Sequence, residues 1–286
     1  MSIRFGSAGA PESFYGQGHK SSLEMPAWLA ARGLNAYEYQ CSRGVKIKEQ
    51  MARELGERAR LHDIALSIHA PYYINLSTED PEKKIKTKGY IMDSLWVARW
   101  MGATTVVFHP GGGPGIDRRS TLERAKGLFT EILKEVAAAG LDDILLAPET
   151  MGKINQIGSL EEVLELCMLA PQVVPCVDFG HLNAVTQGNL RTKENYAEIL
   201  DKIATALGKE ALTHLHVHFS PIEFTKAGER RHWTLQESHL YGPPFEPLAE
   251  LLWERKLEPV IICESAGTQA EDALAFQQMY ESVKAH

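Results

Sequence analysis

Short apolar runs with the length of β-strands alternate with helix-like segments along the whole chain. Eight such runs cover 3–7, 35–40, 64–69, 104–109, 144–149, 173–178, 212–218 and 259–264. Helix-like segments lie between and after them, at 23–32, 47–60, 80–101, 119–139, 159–170, 195–207, 244–255 and 269–283. Eight strand–helix units favour a closed parallel barrel over an open sheet. The sequence therefore predicts one domain over residues 1–286, a single (β/α)8 TIM barrel.

Length and composition agree with one such barrel and argue against several other classes of protein. The chain has 286 residues, a normal length for a (β/α)8 barrel, and its 44% hydrophobic content supports a large core. It contains no run of about 18 apolar residues, and its N-terminus lacks the pattern of a signal peptide. The four cysteines form no CxxC pair, which is typical of reduced thiols in a cytosolic protein. We therefore expect a cytoplasmic protein without a membrane segment.

Six of the predicted strands end in a side chain of a type that binds metal ions. These residues are His69, His109, Glu149, Asp178, His216 and Glu264. Polar residues at the carboxyl ends of barrel strands lie at one mouth, where such barrels have their active sites. The sequence therefore predicts a ring of metal ligands at that mouth.

Two further candidate ligands lie in loops next to these strand ends. His181 follows Asp178 by three residues, and His232 lies in the long loop after strand seven. Eight ligands exceed what one ion of four to six ligands needs, so we expect two or three ions. Imidazole and carboxylate ligands together suit Zn²⁺ or Mn²⁺. Clustered ions of this kind can bind the attacking and leaving oxygens of a phosphodiester together.

Strand seven carries alternating histidines, His214, His216 and His218, which point to one face. Only one or two of them can reach the mouth. His216 is the predicted ligand, and His218 is either a rim contact or an extra ligand.

Five short stretches of the sequence match, in order, the motifs of one enzyme family. They are His69-Ala-Pro-Tyr-Tyr-Ile-Asn-Leu, Phe108-His-Pro-Gly, Pro148-Glu-Thr-Met-Gly-Lys, Cys176-Val-Asp-Phe-Gly-His and Leu215-His. Through them the chain resembles the endonuclease IV family of apurinic/apyrimidinic endonucleases over nearly its whole length. The resemblance implies a TIM barrel with three zinc ions that hydrolyses DNA on the 5′ side of an abasic site and leaves a 3′-hydroxyl. It implies no protein partner.

Carried onto this chain, the resemblance implies a role for each of the eight ligands. The ligands would be His69 and His109 on a first zinc, Asp178, His216 and Glu264 on a second, His181 and His232 on a third, and Glu149 as the bridge between the first two. Glu149 could also orient or deprotonate the attacking water, which makes it the candidate catalytic residue.

The chain departs from the family pattern around the third zinc site. After the strand-seven histidine the family usually continues with Leu-Asn-Asp-Ser-Lys, whereas this chain has Val217-His-Phe-Ser-Pro. The third zinc normally takes an aspartate two residues before its histidine, and that place holds Arg230. Glu229, one residue away, could substitute if the loop is rearranged. Otherwise His218, His239 or water would complete the site.

Four residues near predicted strand ends are candidates for contact with DNA. Tyr72 matches the family position that enters the DNA near the lesion, although its alternative is an ordinary aromatic at the rim. Arg43 follows strand two, where the family has a DNA-contacting loop. Arg230 and Arg231 belong to a basic stretch that could neutralise phosphates. The net charge of −7 argues against general affinity for nucleic acids but leaves room for such a local basic surface.

Two other functions remain open from the sequence. A sugar isomerase or epimerase of the xylose-isomerase-like superfamily holds one divalent ion with Glu, Asp, His and Glu, and Glu149, Asp178, His216 and Glu264 fit that pattern equally well. His69, His109 and His181 favour the nuclease, because the isomerase has no need for them. A lesion-binding protein without catalytic activity is the third possibility.

Overall fold

Ten β-strands lie in the parts of the chain that the structure, a computed structural model, describes: residues 3–112 and 117–285. They are β1 (Arg4–Ala8), β2 (Ala36–Gln40), β3 (Ala65–His69), β4 (Thr105–Phe108), β5 (Leu145–Pro148), β6 (Cys176–Asp178), β7 (His216–Phe219), β8 (Ile222–Thr225), β9 (Gly228–His232) and β10 (Val260–Cys263). Strands β1–β7 and β10 are parallel and form the central sheet, whereas β8 and β9 pair antiparallel as a separate hairpin.

The central sheet is closed into a barrel. Its strand order is β5-β4-β3-β2-β1-β10-β7-β6. The two end strands meet through single parallel bridges, which join Leu146 to Val173 and Glu149 to Cys176. The (β/α)8 TIM barrel predicted from the alternation of strands and helices is therefore confirmed.

Helices connect the strands. They are α1 (Glu12–Gly16), α2 (Met25–Ala30), α3 (Glu49–Leu61), α4 (Pro81–Met101), α5 (Arg118–Ala138), α6 (Leu160–Cys167), α7 (Phe179–Val185), α8 (Lys193–Leu207), α9 (Ser238–Tyr241), α10 (Glu246–Glu254) and α11 (Gln269–Lys284). Helix α4 begins where the sequence predicts, because the Asp80 side chain accepts hydrogen bonds from the first-turn N–H groups and Pro81 follows it. Ser159 and Glu162 form a capping box at the start of α6. Among the described helices, none is long and apolar enough to cross a membrane.

Opposite faces of the strands contribute to different parts of the interior. Val106 and Phe108 belong to a large apolar cluster that includes buried residues of the surrounding helices. Val107, between them, belongs instead to a small cluster with Ala147, Val174 and Cys176. This alternation follows from the two-residue period of a strand. The strand face that carries Val107 therefore has only small apolar clusters, and buried polar side chains lie next to them.

The chain between β6 and β10 departs most from the prediction. Residues expected to open strand seven form a 3₁₀ helix, Lys209–His214, and β7 begins only at His216. The hairpin β8–β9 was not predicted, because β8 alternates apolar and polar residues over only four positions and β9 is largely charged. The hairpin packs closely on the loop after β5, where Glu229 N–H donates to the Gly152 carbonyl oxygen over 2.7 Å. It therefore lies over the carboxyl ends of the barrel strands.

Candidate metal centre

Glu149 lies at the centre of the buried polar residues at the strand ends. It directly follows β5 and is fully buried. Its Oε2 lies 3.2 Å from Nε2 of His69 and 3.1 Å from Nε2 of His109. Its Oε1 lies 3.2 Å from Nδ1 of His181 and 3.3 Å from Nδ1 of His218. Four histidines from different elements thus converge on one carboxylate, as a bridging ligand requires.

A group of four residues surrounds one possible ion position. Glu149, Asp178, His218 and Glu264 each offer a ligand atom, and these atoms all lie within 4.8 Å of one another. Asp178 also caps α7, where its Oδ1 accepts a hydrogen bond of 2.6 Å from the His181 N–H. Its Oδ2 is buried and has no hydrogen-bond partner within the described part of the chain. A buried carboxylate oxygen without a partner is costly, and a bound cation would satisfy it. The donor set and this oxygen fit a divalent metal ion.

A second group adjoins the first and shares two of its members. His69, Glu149 and His218 have ligand atoms within 4.8 Å of one another. The His109 ring lies beside that of His69, with ring centroids 4.9 Å apart. His69 and His109 are therefore placed together against Glu149, as the sequence predicts.

A third group forms between the barrel and the hairpin. His181, Glu229 and His232 have ligand atoms within 4.8 Å of one another. Nε2 of His181 lies 3.3 Å from Oε2 of Glu229. Nδ1 of His232 is hydrogen-bonded to the Ser220 hydroxyl over 2.7 Å, while its Nε2 lies 4.0 Å from Oε1 of Glu229. The carboxylate of this group therefore comes from Glu229. Arg230, which occupies the position of the family aspartate, is not part of the group.

The two histidines of β7 lie at different depths. Asp178 of β6 and Ile262 of β10 pair with His218, whereas Cys176 pairs with His216. His216 directs its Nε2 to the buried carboxylate of Glu38, 2.9 Å away, and no ligand group in the described part of the chain that includes Glu149 contains it. The structure thus places His218 beside Glu149, Asp178 and Glu264, where His216 was predicted. His216 lies one residue pair deeper, and its ligand atom lies within 4.8 Å of those of Cys176 and His218.

The charges in this centre depend strongly on each other. Burial raises the pKa of the Asp178 carboxyl to about 6, with Glu264 and Glu149 acting in the same direction against His181. Burial also acts to raise the pKa of Glu229, but the hydrogen bond and the charge of His181 outweigh it and lower the pKa to about 2. Burial acts to lower the pKa of His69, but the hydrogen bond to Glu149 and the surrounding carboxylates outweigh it and raise the pKa to about 9. The buried carboxylates and the histidines of the centre therefore stabilise each other's charged forms against the cost of burial.

A cavity of about 330 Å³ opens above the candidate ligands. Its lining includes six of them together with Gln40, Ser42, Ala70, Tyr72, Met151, Lys153 and Gln156. Gln40, at the end of β2, and the loop residues Lys153 and Gln156 were not predicted as site residues, because single polar residues carry no pattern of their own.

The four predicted DNA contacts are all at the surface. Tyr72 is 52% exposed and lies against Tyr73, with ring centroids 4.2 Å apart. Arg43 is exposed in the loop after β2. Arg230 and Arg231 both pair with the Glu223 carboxylate, at 2.5 and 3.1 Å, so part of their charge is neutralised within the hairpin.

Comparison with known proteins gives the barrel a family. A family model described as xylose isomerase-like TIM barrel matches residues 26–281. The chain belongs to this family. One relative, the "Uncharacterized protein MJ0133" of Methanocaldococcus jannaschii, is 33% identical over 279 residues, which are 98% of this chain and 97% of that protein. The relationship therefore extends over the whole barrel.

Endonucleases are similar to this chain in sequence and fold, and a sugar epimerase-like protein is similar to it in fold. The probable endonuclease 4 of Mycoplasma pneumoniae is 29% identical over 171 residues, 58% of this chain and 57% of the relative. The crystal structure of endonuclease IV from Thermus thermophilus covers 99% of both chains with a TM-score of 0.70 and 21% identity. A D-tagatose 3-epimerase-like protein covers 99% of this chain and 97% of its own, with a TM-score of 0.72 and 19% identity. The resemblance to endonuclease IV expected from the sequence is confirmed for family and fold, and the epimerase-like protein has the same fold.

Proposed function

We propose that this protein is a zinc-dependent phosphodiesterase of the endonuclease IV type, which hydrolyses DNA on the 5′ side of abasic sites and leaves a 3′-hydroxyl. The observation that carries the proposal is that, of the four ligand groups in the described part of the chain, two share Glu149 and a third is formed beside them by His181, Glu229 and His232. One ion would need only the group of four. A centre of two or three ions would also need the group with His69 and His109 and the group with His181 and Glu229.

The proposed ligand set follows the positions of the side chains. His69, His109 and Glu149 serve the first ion, and Glu149, Asp178, His218 and Glu264 serve the second. His181, Glu229 and His232 serve the third. Zn²⁺ bound here would act as a Lewis acid toward a phosphodiester and would lower the pKa of bound water. Mn²⁺ would suit the same ligands.

Side chains of the protein would hold the ions and the attacking water in position for this reaction. The Glu149 carboxylate lies between the pair His69–His109 and the pair His181–His218, so it can hold neighbouring ions at a fixed spacing. We assign it the further role of orienting the attacking water. The buried walls exclude bulk water from all but the open side of the cavity, which strengthens every charge interaction inside.

DNA would approach the open side of the cavity. Tyr72 and Tyr73 present an exposed aromatic pair at the rim, and aromatic faces stack on unpaired bases. Arg43 lies near Tyr72 and would neutralise a phosphate. Arg230 and Arg231 would contribute less, since Glu223 already holds both guanidinium groups.

A sugar epimerase is the second candidate function. The group Glu149, Asp178, His218 and Glu264 is sufficient for a single divalent ion. The cavity of about 330 Å³ has the size of a site for a small molecule. In an epimerase the third ligand group would be left without an ion.

Metal content and strand incision together test the proposal. The protein is purified without chelator, its metal ions per chain are counted by elemental analysis, and a labelled duplex with one abasic analogue is the substrate. We expect two or three ions and a single incision 5′ to the lesion. His181→Ala should lose one ion and the incision, because it removes a ligand of the third group.

His62→Ala is the matched control, since His62 is exposed at the end of α3, away from the strand ends. It should retain both the ion count and the incision. One ion per chain, no incision, and interconversion of D-tagatose with its 3-epimer would overturn the proposal in favour of the epimerase.

A further inference from the structure

Glu38 is a fully buried carboxylate beneath the candidate metal centre. The proposed reaction gives this residue no role. It lies in β2, where Ser67 of β3 is its direct neighbour. Its Oε2 accepts a hydrogen bond of 2.9 Å from the Ser67 hydroxyl and lies 2.9 Å from Nε2 of His216. Its Oε1 lies 3.0 Å from Nε2 of His218. The Gln40 amide also donates to Oε1, over 3.3 Å. A buried carboxylate is tolerated only when donors surround it, and here four side chains do so.

Three of the other candidate histidine ligands, His69, His181 and His232, have a hydrogen-bond partner at Nδ1. In His69 and His181, Nδ1 is held by a backbone carbonyl oxygen, of Ala70 at 3.0 Å and of Thr150 at 2.9 Å. In His232, Nδ1 is held by the Ser220 hydroxyl. Each of these rings directs its Nε2 toward a carboxylate of a ligand group, although Nδ1 of His181 also lies 3.2 Å from Oε1 of Glu149. Histidines that bind metals usually donate their second N–H in this way, which fixes the tautomer and the orientation of the ring.

His218 has the opposite orientation. Its Nδ1 faces the ligand group, 3.3 Å from Oε1 of Glu149 and 3.5 Å from Oε2 of Glu264, while its Nε2 faces Glu38. A neutral imidazole has one donor and one acceptor nitrogen, and an ionised carboxylate only accepts. If a metal ion takes the lone pair of Nδ1, the proton of neutral His218 must lie on Nε2, where Glu38 can accept it.

We propose that Glu38 is a positioning residue that accepts the Nε2–H of His218 and so selects the tautomer in which Nδ1 binds a metal ion. Ser67 and His216 hold the Glu38 carboxylate in place for this contact. The inference rests on the proposed metal centre, and it deepens that proposal by giving His216 a supporting role beneath the ions. An anionic partner also makes the His218 nitrogen a stronger ligand than a carbonyl partner would.

Glu38→Gln tests this role, because the glutamine amide has a single acceptor oxygen for four donors. The full chain is equilibrated with Zn²⁺ against a chromophoric chelator, and the ¹⁵N shifts of the histidine side chains are recorded in the Zn²⁺-loaded protein. We expect the affinity of one ion to fall by about 10- to 100-fold. We also expect the ¹⁵N signals of His218 to lose the pattern of a protonated Nε2 with a metal-bound Nδ1. Glu162→Gln is the matched control, since Glu162 is a buried carboxylate that caps α6 away from the centre.

His216→Gln provides a second variant if Glu38→Gln does not fold. A glutamine amide can donate to Glu38 in place of the imidazole N–H, so every ion should remain bound with at most a small loss of affinity. Loss of an ion would make His216 itself a ligand and would overturn the inference. Unchanged Zn²⁺ affinity and unchanged His218 signals in Glu38→Gln would also overturn it while leaving the proposed metal centre intact. A wild-type chain that binds no ion would instead refute the proposed function.

Discussion

Replacing Gly152 with alanine should remove the third ion without disturbing the other two. A β-carbon at this position would lie 2.6 Å from Cβ of Glu229 and 2.7 Å from Cδ2 of His181. Both neighbours belong to the third ligand group. Glu229 cannot retreat easily, because its backbone N–H is bonded to the Gly152 carbonyl oxygen over 2.7 Å.

The size of the effect follows from these distances. Carbon atoms in contact are about 3.5–4.0 Å apart, so Glu229 and His181 must each move by roughly 1 Å. Metal–ligand distances tolerate only about 0.2 Å. A structural zinc site is worth about 10–16 kcal/mol over four ligands, or roughly 3 kcal/mol for each. Displacing even one ligand should therefore weaken the third site by more than about 100-fold. The overpacking itself should cost about 1–3 kcal/mol of unfolding free energy.

The assay is elemental analysis of protein dialysed against a weak chelator, together with thermal unfolding. Gly152→Ala should hold one ion fewer per chain than the wild type. Gly127→Ala is the control, because an added β-carbon there meets no atom within 4 Å on the exposed side of α5. It should keep all ions and gain slightly in stability, since alanine is the better helix former. If Gly152→Ala retains the wild-type ion count under the same dialysis, the assignment of Glu229 and His181 to a metal site is incorrect.

Three further predictions concern stability and charge. Removing the metal ions with EDTA should lower the melting temperature, and added Zn²⁺ should restore it in a concentration-dependent way, because the ligands come together only in the folded chain; an unchanged melting curve would contradict the proposed centre. Asp80→Ala should cost about 1 kcal/mol in a urea titration, since Asp80 accepts hydrogen bonds from the N–H groups of Glu82 and Lys83 at the start of α4. The hydrogen bond with His19, assisted by backbone N–H groups, lowers the pKa of Glu24 from 4.5 to about 2, so its contribution to stability should be complete above about pH 4.5 and be lost as the pH falls toward 2. In His19→Ala the Glu24 midpoint measured by NMR should rise toward 4.5, and no change would exclude that hydrogen bond as the cause.

Local patterns in the sequence determined most of the barrel. Each strand is a short apolar run, and several helices begin at caps such as Asp80 and Ser159, so the alternation that specifies a closed parallel sheet is visible without tertiary contacts. The barrel fold then places every strand end at one mouth. For this reason His69, His109 and Glu149 could be predicted to meet although they are far apart in the chain.

The third ligand group could not be predicted with the same certainty. Glu229 is one residue away from the spacing expected for the family, and its direction depends on the hairpin β8–β9. The hairpin is fixed by long-range contacts, including the hydrogen bond from Glu229 to Gly152 and the close approach of Gly228 to the same carbonyl. Such contacts join residues that are far apart in the chain and leave no periodic pattern in the sequence.

The sequence alone thus predicts the barrel, the candidate ligands at its mouth and, from the types of these ligands, the kind of metal ion that suits them. The tertiary structure decided which side chain occupies each place. His216 and His218 have identical chemistry and the same strand face, and only the pairing of β7 with β6 and β10 sets one beneath the other. In the sequence, Glu38 is a polar residue between two tyrosines of β2. Only the closed barrel brings Ser67 and both histidines around it. Strand register and barrel closure are properties of the assembled sheet, and they fix which of two like residues faces the metal centre.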